Sequence, residues 1–162
     1  MMPATSALIF LPFTLVIAIW VSWKDLSTMK IPNLAVLALG AVWLVIGPFV
    51  MPWSDWLWGF GFAAIAFVVG FITYLVMGVG AGDVKFATAM APFFVQADLR
   101  FSLFLISACM IGGLACHRLA KAIPAVTAAT PDWESWKRKR YMPFGLCLSG
   151  ILVFYLLSEA MK

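Results

Sequence analysis

Gly80-Ala81-Gly82-Asp83-Val84-Lys85 places one carboxylate between glycines and a lysine in a chain otherwise made for lipid. An ionisable side chain at or near bilayer depth is expensive, so its default reading is functional. The two glycines ahead of Asp83 leave the backbone free of side chains, which gives a substrate strand room to come close. A second aspartate, Asp25, ends another apolar segment, in Lys24-Asp25-Leu26-Ser27-Thr28-Met29-Lys30-Ile31-Pro32-Asn33. The function turns on whether these two carboxylates meet at one membrane face.

Working outward, the chain has 162 residues, 64% hydrophobic and 11% charged, with a mean hydropathy of +1.02. A soluble domain of this length could not cover so much apolar surface. The apolar runs are continuous and do not alternate, which argues for helices and against a β-barrel. At about 20 residues per crossing the chain holds about six spans in one compact all-α transmembrane bundle. The formal charge of +4 does not point to nucleic acid, because the basic residues fall between spans. Cys109, Cys116 and Cys147 lie in or beside apolar segments, lack metal-ligand spacing, and read as inert thiols. Residues 1–23 are not expected to be a cleaved signal, since no basic segment precedes the apolar run and Asp25 follows it.

In chain order the expected spans are roughly 6–23, 34–51, 56–77, 84–97, 101–118 and 143–160, within a single domain over 1–162. Pro32 restricts the residue before it and suits the first turn of the second span. That span stops between Pro48 and Pro52, and Trp53, Trp56 and Trp58 around Asp55 read as an interfacial aromatic belt. Gly59, Gly61, Ala63, Ala64 and Ala66 suit the third span to close helix packing. The fourth run is short and contains Pro92, so at about 1.5 Å per residue it falls short of a ~30 Å hydrocarbon core. That shortfall sets Asp83 in a recess. His117 reads as a helix C-cap beside Arg118, a polar cytoplasmic loop follows over about 119–141, and Ala125–Thr130 is a candidate linker.

With a periplasmic N-terminus, the inner loops hold Lys24, Lys30, Lys85, Arg118, Lys121 and the run Lys137-Arg138-Lys139-Arg140, leaving only Arg100 and Lys162 outside. Such a bias is the positive-inside pattern, and it turns both Asp25 and Asp83 toward the cytoplasm. Asp55, Asp98 and Glu159 are then the outer acids. Two carboxylates sharing a site hold one proton between them: the charged one takes a proton from water, and the protonated one donates to the scissile carbonyl. No serine, cysteine and histidine arrangement competes, and no histidine or cysteine lies near either aspartate in sequence to make a metal site. No cofactor is expected.

Gly80-Ala81-Gly82-Asp83-Val84-Lys85 resembles the Gly-x-Gly-Asp motif of membrane aspartyl proteases. Asp25 with Ile31-Pro32-Asn33 resembles the first aspartate region of type IV prepilin peptidases, and Pro143-Phe144-Gly145 resembles that family's proline-aromatic-glycine motif. The resemblance implies an enzyme of the bacterial inner membrane, multi-pass, that removes the short leader of prepilins or pseudopilins on the cytoplasmic side, just before the pilin's hydrophobic helix. It implies Asp25 and Asp83 as the catalytic pair, with Gly80 and Gly82 shaping the nearby backbone and Lys85 supporting Asp83. Pro32, Asn33, Pro143, Phe144 and Gly145 follow as supporting or substrate-binding residues. The partners implied are the prepilin substrate and membrane lipid; nothing in the sequence sets an oligomeric state.

Larger members of that family carry a cytoplasmic insertion with paired cysteines and also methylate the new N-terminus. Here only Leu26 to Pro32 separate Asp25 from Asn33, and no cysteine precedes Cys109. The short form resembles the peptidases of tight-adherence (Flp-type) pilus systems, and the methyltransferase activity is not expected. The presenilin-like group shares Gly-x-Gly-Asp but has Pro-Ala-Leu where this chain has Pro143-Phe144-Gly145.

The helix ends suggest a division of labour. Asp25 sits at the C-terminal, negative end of the first span, and Asp83 at the N-terminal, positive end of the fourth run beside Lys85, which favours Asp83 as charged base and Asp25 as protonated acid. The run Lys137–Arg140 reads as positive-inside retention and attraction to anionic lipid, with docking of acidic pilin residues as the alternative. Two other functions fit the composition: a small proton- or cation-coupled transporter, and a non-catalytic pilus-assembly scaffold. A transporter needs acids spaced through the membrane, whereas both aspartates here fall near one face.

Overall fold

The computed structural model describes residues 2–138 and 142–162. Lys139 and Arg140, which belong to the basic run above, lie outside the described residues. All regular structure among the described residues is helical. The helices are α1 (Ala4–Thr28), α2 (Asn33–Val50), α3 (Trp53–Met77), α4 (Ala81–Met90), α5 (Leu99–Ala122), α6 (Pro124–Ala129), α7 (Glu134–Lys137) and α8 (Phe144–Ala160), with a 3-10 turn over Ala91–Phe94 after α4.

Four of them, α1, α2, α3 and α5, are long and apolar enough to cross a membrane. Helix α8 is apolar but has 17 residues, and α4 has only 10 before its 3-10 extension. The short fourth run was expected from Pro92, which takes an early position in the 3-10 turn and cannot donate to an α-helical ladder.

Hydrogen bonds fix which helix ends lie together. At one end, Ser6 near the start of α1 donates to the Val50 carbonyl at the end of α2. Gln96, beyond the 3-10 turn, bonds Asp55 at the start of α3. Lys162, after α8, pairs with Glu159 and lies over the Phe101 ring of α5. At the other end, the last turn of α1 and the first residues of α2, α4 and α8 line one cleft. Asp55, Asp98 and Glu159 therefore gather at the end opposite Asp25 and Asp83.

The core is built on α8, which packs against α1, α5 and α4 and buries Cys147, Ile151, Leu152, Tyr155 and Leu156. Beside it Phe10, Trp43 and Phe93 interlock, with ring centroids 5.7 Å apart for Phe10–Trp43, 5.1 Å for Phe10–Phe93 and 5.2 Å for Trp43–Phe93. Offset and edge-to-face pairs of this kind add stabilisation beyond their burial. In contrast, α3 buries only Gly59 and leans on α4 and the 3-10 turn, leaving its Phe and Val side chains outward.

Several boundaries differ from those read in the sequence. Helix α1 does not stop at Trp23: Ser27 and Thr28 both donate to the Lys24 carbonyl, and Met29 closes the helix at φ 54°. Polar residues that read as a loop are thus a helix end satisfied by its own hydroxyls. The end of α2 is as read: Pro48 lies inside it and it stops at Val50, between Pro48 and Pro52. Trp53 and Trp56 belong to the first turn of α3, where Trp56 turns inward and donates to the Trp43 carbonyl at 3.2 Å. The candidate linker Ala125–Thr130 is mostly α6, opened by Pro124 at its first position. His117 is no cap: it is buried within α5, stacked 5.1 Å from Trp136, whose ring also stacks on Trp133.

Candidate active site

A cleft of about 660 Å³ opens where α1 ends and α2, α4 and α8 begin, and both Asp25 and Asp83 line it. Asn33, Gly80, Gly82, Lys85 and Phe144 line it too, so the structure brings together most of the residues singled out from sequence. Met29, Met77 and Met142 also line it and carried no sequence signal, and Arg138 of the basic run Lys137–Arg140 lines it as well.

Asp25 sits in the last two turns of α1 and is 4% exposed. Its Oδ2 accepts the Gly145 N–H at 2.7 Å, across 120 positions of chain. The Leu146 N–H also faces it. These are among the unpaired donors that open α8, and a carboxylate set there meets both free N–H groups and the positive end of the helix. The contact demands glycine: a Cβ at position 145 would lie 2.9 Å from Asp25 Oδ2 and 3.0 Å from its Cβ and Cγ.

Asp83 occupies the third position of α4, with Gly80 as the residue before the helix. From there its carboxyl reaches back toward the Gly80 N–H, the half of a capping box that an acidic third residue supplies. A Cβ on Gly80 would fall 2.6 Å from Asp83 Oδ2, so a larger residue here would turn that carboxyl aside. Gly82 is different, because a Cβ there would meet Ile31 at an ordinary 3.4 Å.

Asp83 lies outside the four long helices, and its carboxyl is pushed up to about 6. Burial is the main cause, the negative charge of Asp25 adds to it, and the Gly80 N–H opposes it. The charge of one aspartate is thus felt by the other.

Lys85 does not pair with Asp83. Among the described residues the ion pairs are Lys137–Glu134 and Lys162–Glu159, and Lys85 Nζ donates instead to Asn33 Oδ1 at 3.2 Å, tying the start of α2 to α4. Pro32 and Pro143 do not line the cleft. Each is the residue immediately before a helix, α2 and α8 respectively, so their part is to set where Asn33 and Phe144 begin.

No curated protein and no solved structure matches the chain. Residues 12–116, which carry both Asp25 and Asp83, match the type IV leader peptidase family. That match spans more than half of the sequence, and the chain belongs to the type IV leader peptidase family.

Proposed function

We propose that the chain removes the leader of type IV prepilins or pseudopilins by aspartyl proteolysis, with Asp25 and Asp83 as the catalytic pair. The observation that carries this reading is their convergence on one cleft from helices that are far apart in sequence. Membership of a leader peptidase family supplies the reaction class, peptide hydrolysis in a membrane protein. The end of the bundle that holds the cleft also carries the excess of lysine and arginine, which supports a cytoplasmic cleft and a periplasmic N-terminus. In this arrangement the chain crosses the bacterial inner membrane about six times, with α8 and the run of about 84–97 that follows Asp83 as short crossings beside the four long ones. The short link from Asp25 to Asn33 supports a peptidase without methyltransferase activity.

The roles of the two aspartates are better assigned with α8 in view than from α1 and α4 alone. Two N–H groups of α8 face Asp25, while burial and the Asp25 charge hold a proton on Asp83. Asp25 is then the charged base that activates water, and Asp83 is the acid that protonates the scissile carbonyl oxygen, the reverse of the division expected from the helix ends. The sign for activity follows. Below about 6 Asp83 keeps its proton, and as pH rises through that value the proton is lost and kcat/KM falls. A pH–rate profile of leader removal is expected to show this alkaline limb in the wild type. A profile rising through the same range makes Asp83 the base instead. The function itself is tested by co-expressing the chain with a candidate prepilin and weighing the product, with loss of the leader expected and an unprocessed precursor contradicting it.

A further inference from the structure

Next to the catalytic cleft runs a second, apolar groove of about 450 Å³ between α2, α3 and α4. Lys85 and Ala89 of α4 lie along its floor, with Gly40 and Ala41 of α2 on one side and Ala63 and Phe67 of α3 on the other. Although α2 and α3 are consecutive, they meet mainly around Trp43, Trp56 and Gly59, and each leans on the short α4. The gap left between them is real space: a Cβ added to Gly40 would meet nothing within 4 Å.

The groove adjoins the cleft, with Lys85 lining both. From Lys85 to Pro92 the floor extends about 10 Å, or two helical turns, away from Asp83. Residues on the rim such as Leu37 and Leu44 are exposed, so the groove opens sideways toward lipid. An apolar helix can enter it laterally without leaving the hydrocarbon.

The geometry points to this groove as the docking site for the membrane-embedded apolar helix of the substrate, holding the first two turns beyond the scissile bond. This inference rests on the peptidase reading, since the occupant is the segment that follows the cut. Lys85, bonded to Asn33, stands at the junction where the substrate backbone passes from cleft to groove. Helix–helix contact in lipid depends on close packing and not on exclusion of water, so filling the groove removes the contact.

The test uses the full chain in proteoliposomes with a prepilin whose leader the wild type removes. Gly40→Leu together with Ala63→Leu fills the groove from the lipid side, away from both aspartates. KM for the prepilin is expected to rise by about tenfold or more, the scale of an overpacked contact, with kcat nearly unchanged because the contact is made equally before and during the reaction. Independently of any effect of that variant on folding, a photo-crosslinker at position 40 in an Asp83→Asn chain is expected to capture the prepilin helix. An unchanged KM, or adducts only to lipid or to a second copy of this chain, overturns the assignment. If the wild type leaves every prepilin uncleaved, the peptidase reading fails and its occupant for the groove falls with it.

Discussion

Asp25→Asn and Asp83→Asn are each expected to stop leader removal while leaving the helices packed. An asparagine keeps the shape of the side chain, and at position 25 its amide oxygen can still accept the Gly145 N–H that Asp25 accepts at 2.7 Å. What is lost is the proton that the pair passes between water and the scissile carbonyl. General acid–base groups contribute about 10²–10⁴-fold, so each change is expected to lower kcat by about 10³-fold or more. Because the pair acts as one unit, the double variant is expected to be no worse than the poorer single one. Single-turnover rates with purified chain and prepilin, alongside thermal melts, check both parts. Processing that survives both changes removes the aspartyl mechanism and favours a scaffold role.

Gly145→Ala is expected to cripple catalysis without touching either carboxylate. The new Cβ would stand 2.9 Å from Asp25 Oδ2 and 3.0 Å from its Cγ, inside van der Waals contact. Asp25 is 4% exposed and has little room to yield, and α8 is held along its length by α1 and α5. Either the carboxylate turns away or α8 backs off, and both lengthen the Gly145 hydrogen bond. Misplacement by about 1 Å costs about 10²-fold, and the loss is expected in kcat more than in KM. Gly150→Ala in the same helix is the control, since it lies outside the cleft and its Cβ would sit at an ordinary 3.6 Å from Cys109 Sγ, and activity is expected within a few-fold of wild type. Equal kcat for Gly145→Ala and wild type would show that the approach of α8 to Asp25 has no part in the reaction.

The two aspartates were legible because each stands at the end of an apolar run, where a lone charge is conspicuous. The partners that tune them were not. Gly145 reaches Asp25 across 120 residues and Asn33 reaches Lys85 across 52, and no local pattern encodes either meeting. For Lys85, nearness in sequence to Asp83 suggested a pairing, but the helix turns that side chain toward α2. The helix ends failed for a similar reason. Ser27 and Thr28 look like loop residues until their hydroxyls find the Lys24 carbonyl, and His117 looks like a cap until Trp136 covers it. Composition and the short fourth run pointed to a helical membrane bundle with one incomplete crossing, but they could not show that α3 leans on α4 more than on α2.

The central claim, that positions 25 and 83 face each other in one cytoplasmic cleft, is tested most directly by thiol crosslinking in native membranes. The full chain carries Asp25→Cys and Asp83→Cys, with Cys109, Cys116 and Cys147 replaced by serine. A short bifunctional thiol reagent is expected to join the two within one chain, and a membrane-impermeant maleimide added from the cytoplasmic side is expected to block the reaction. Thiols that never join, or that are labelled from opposite sides of the membrane, contradict the account.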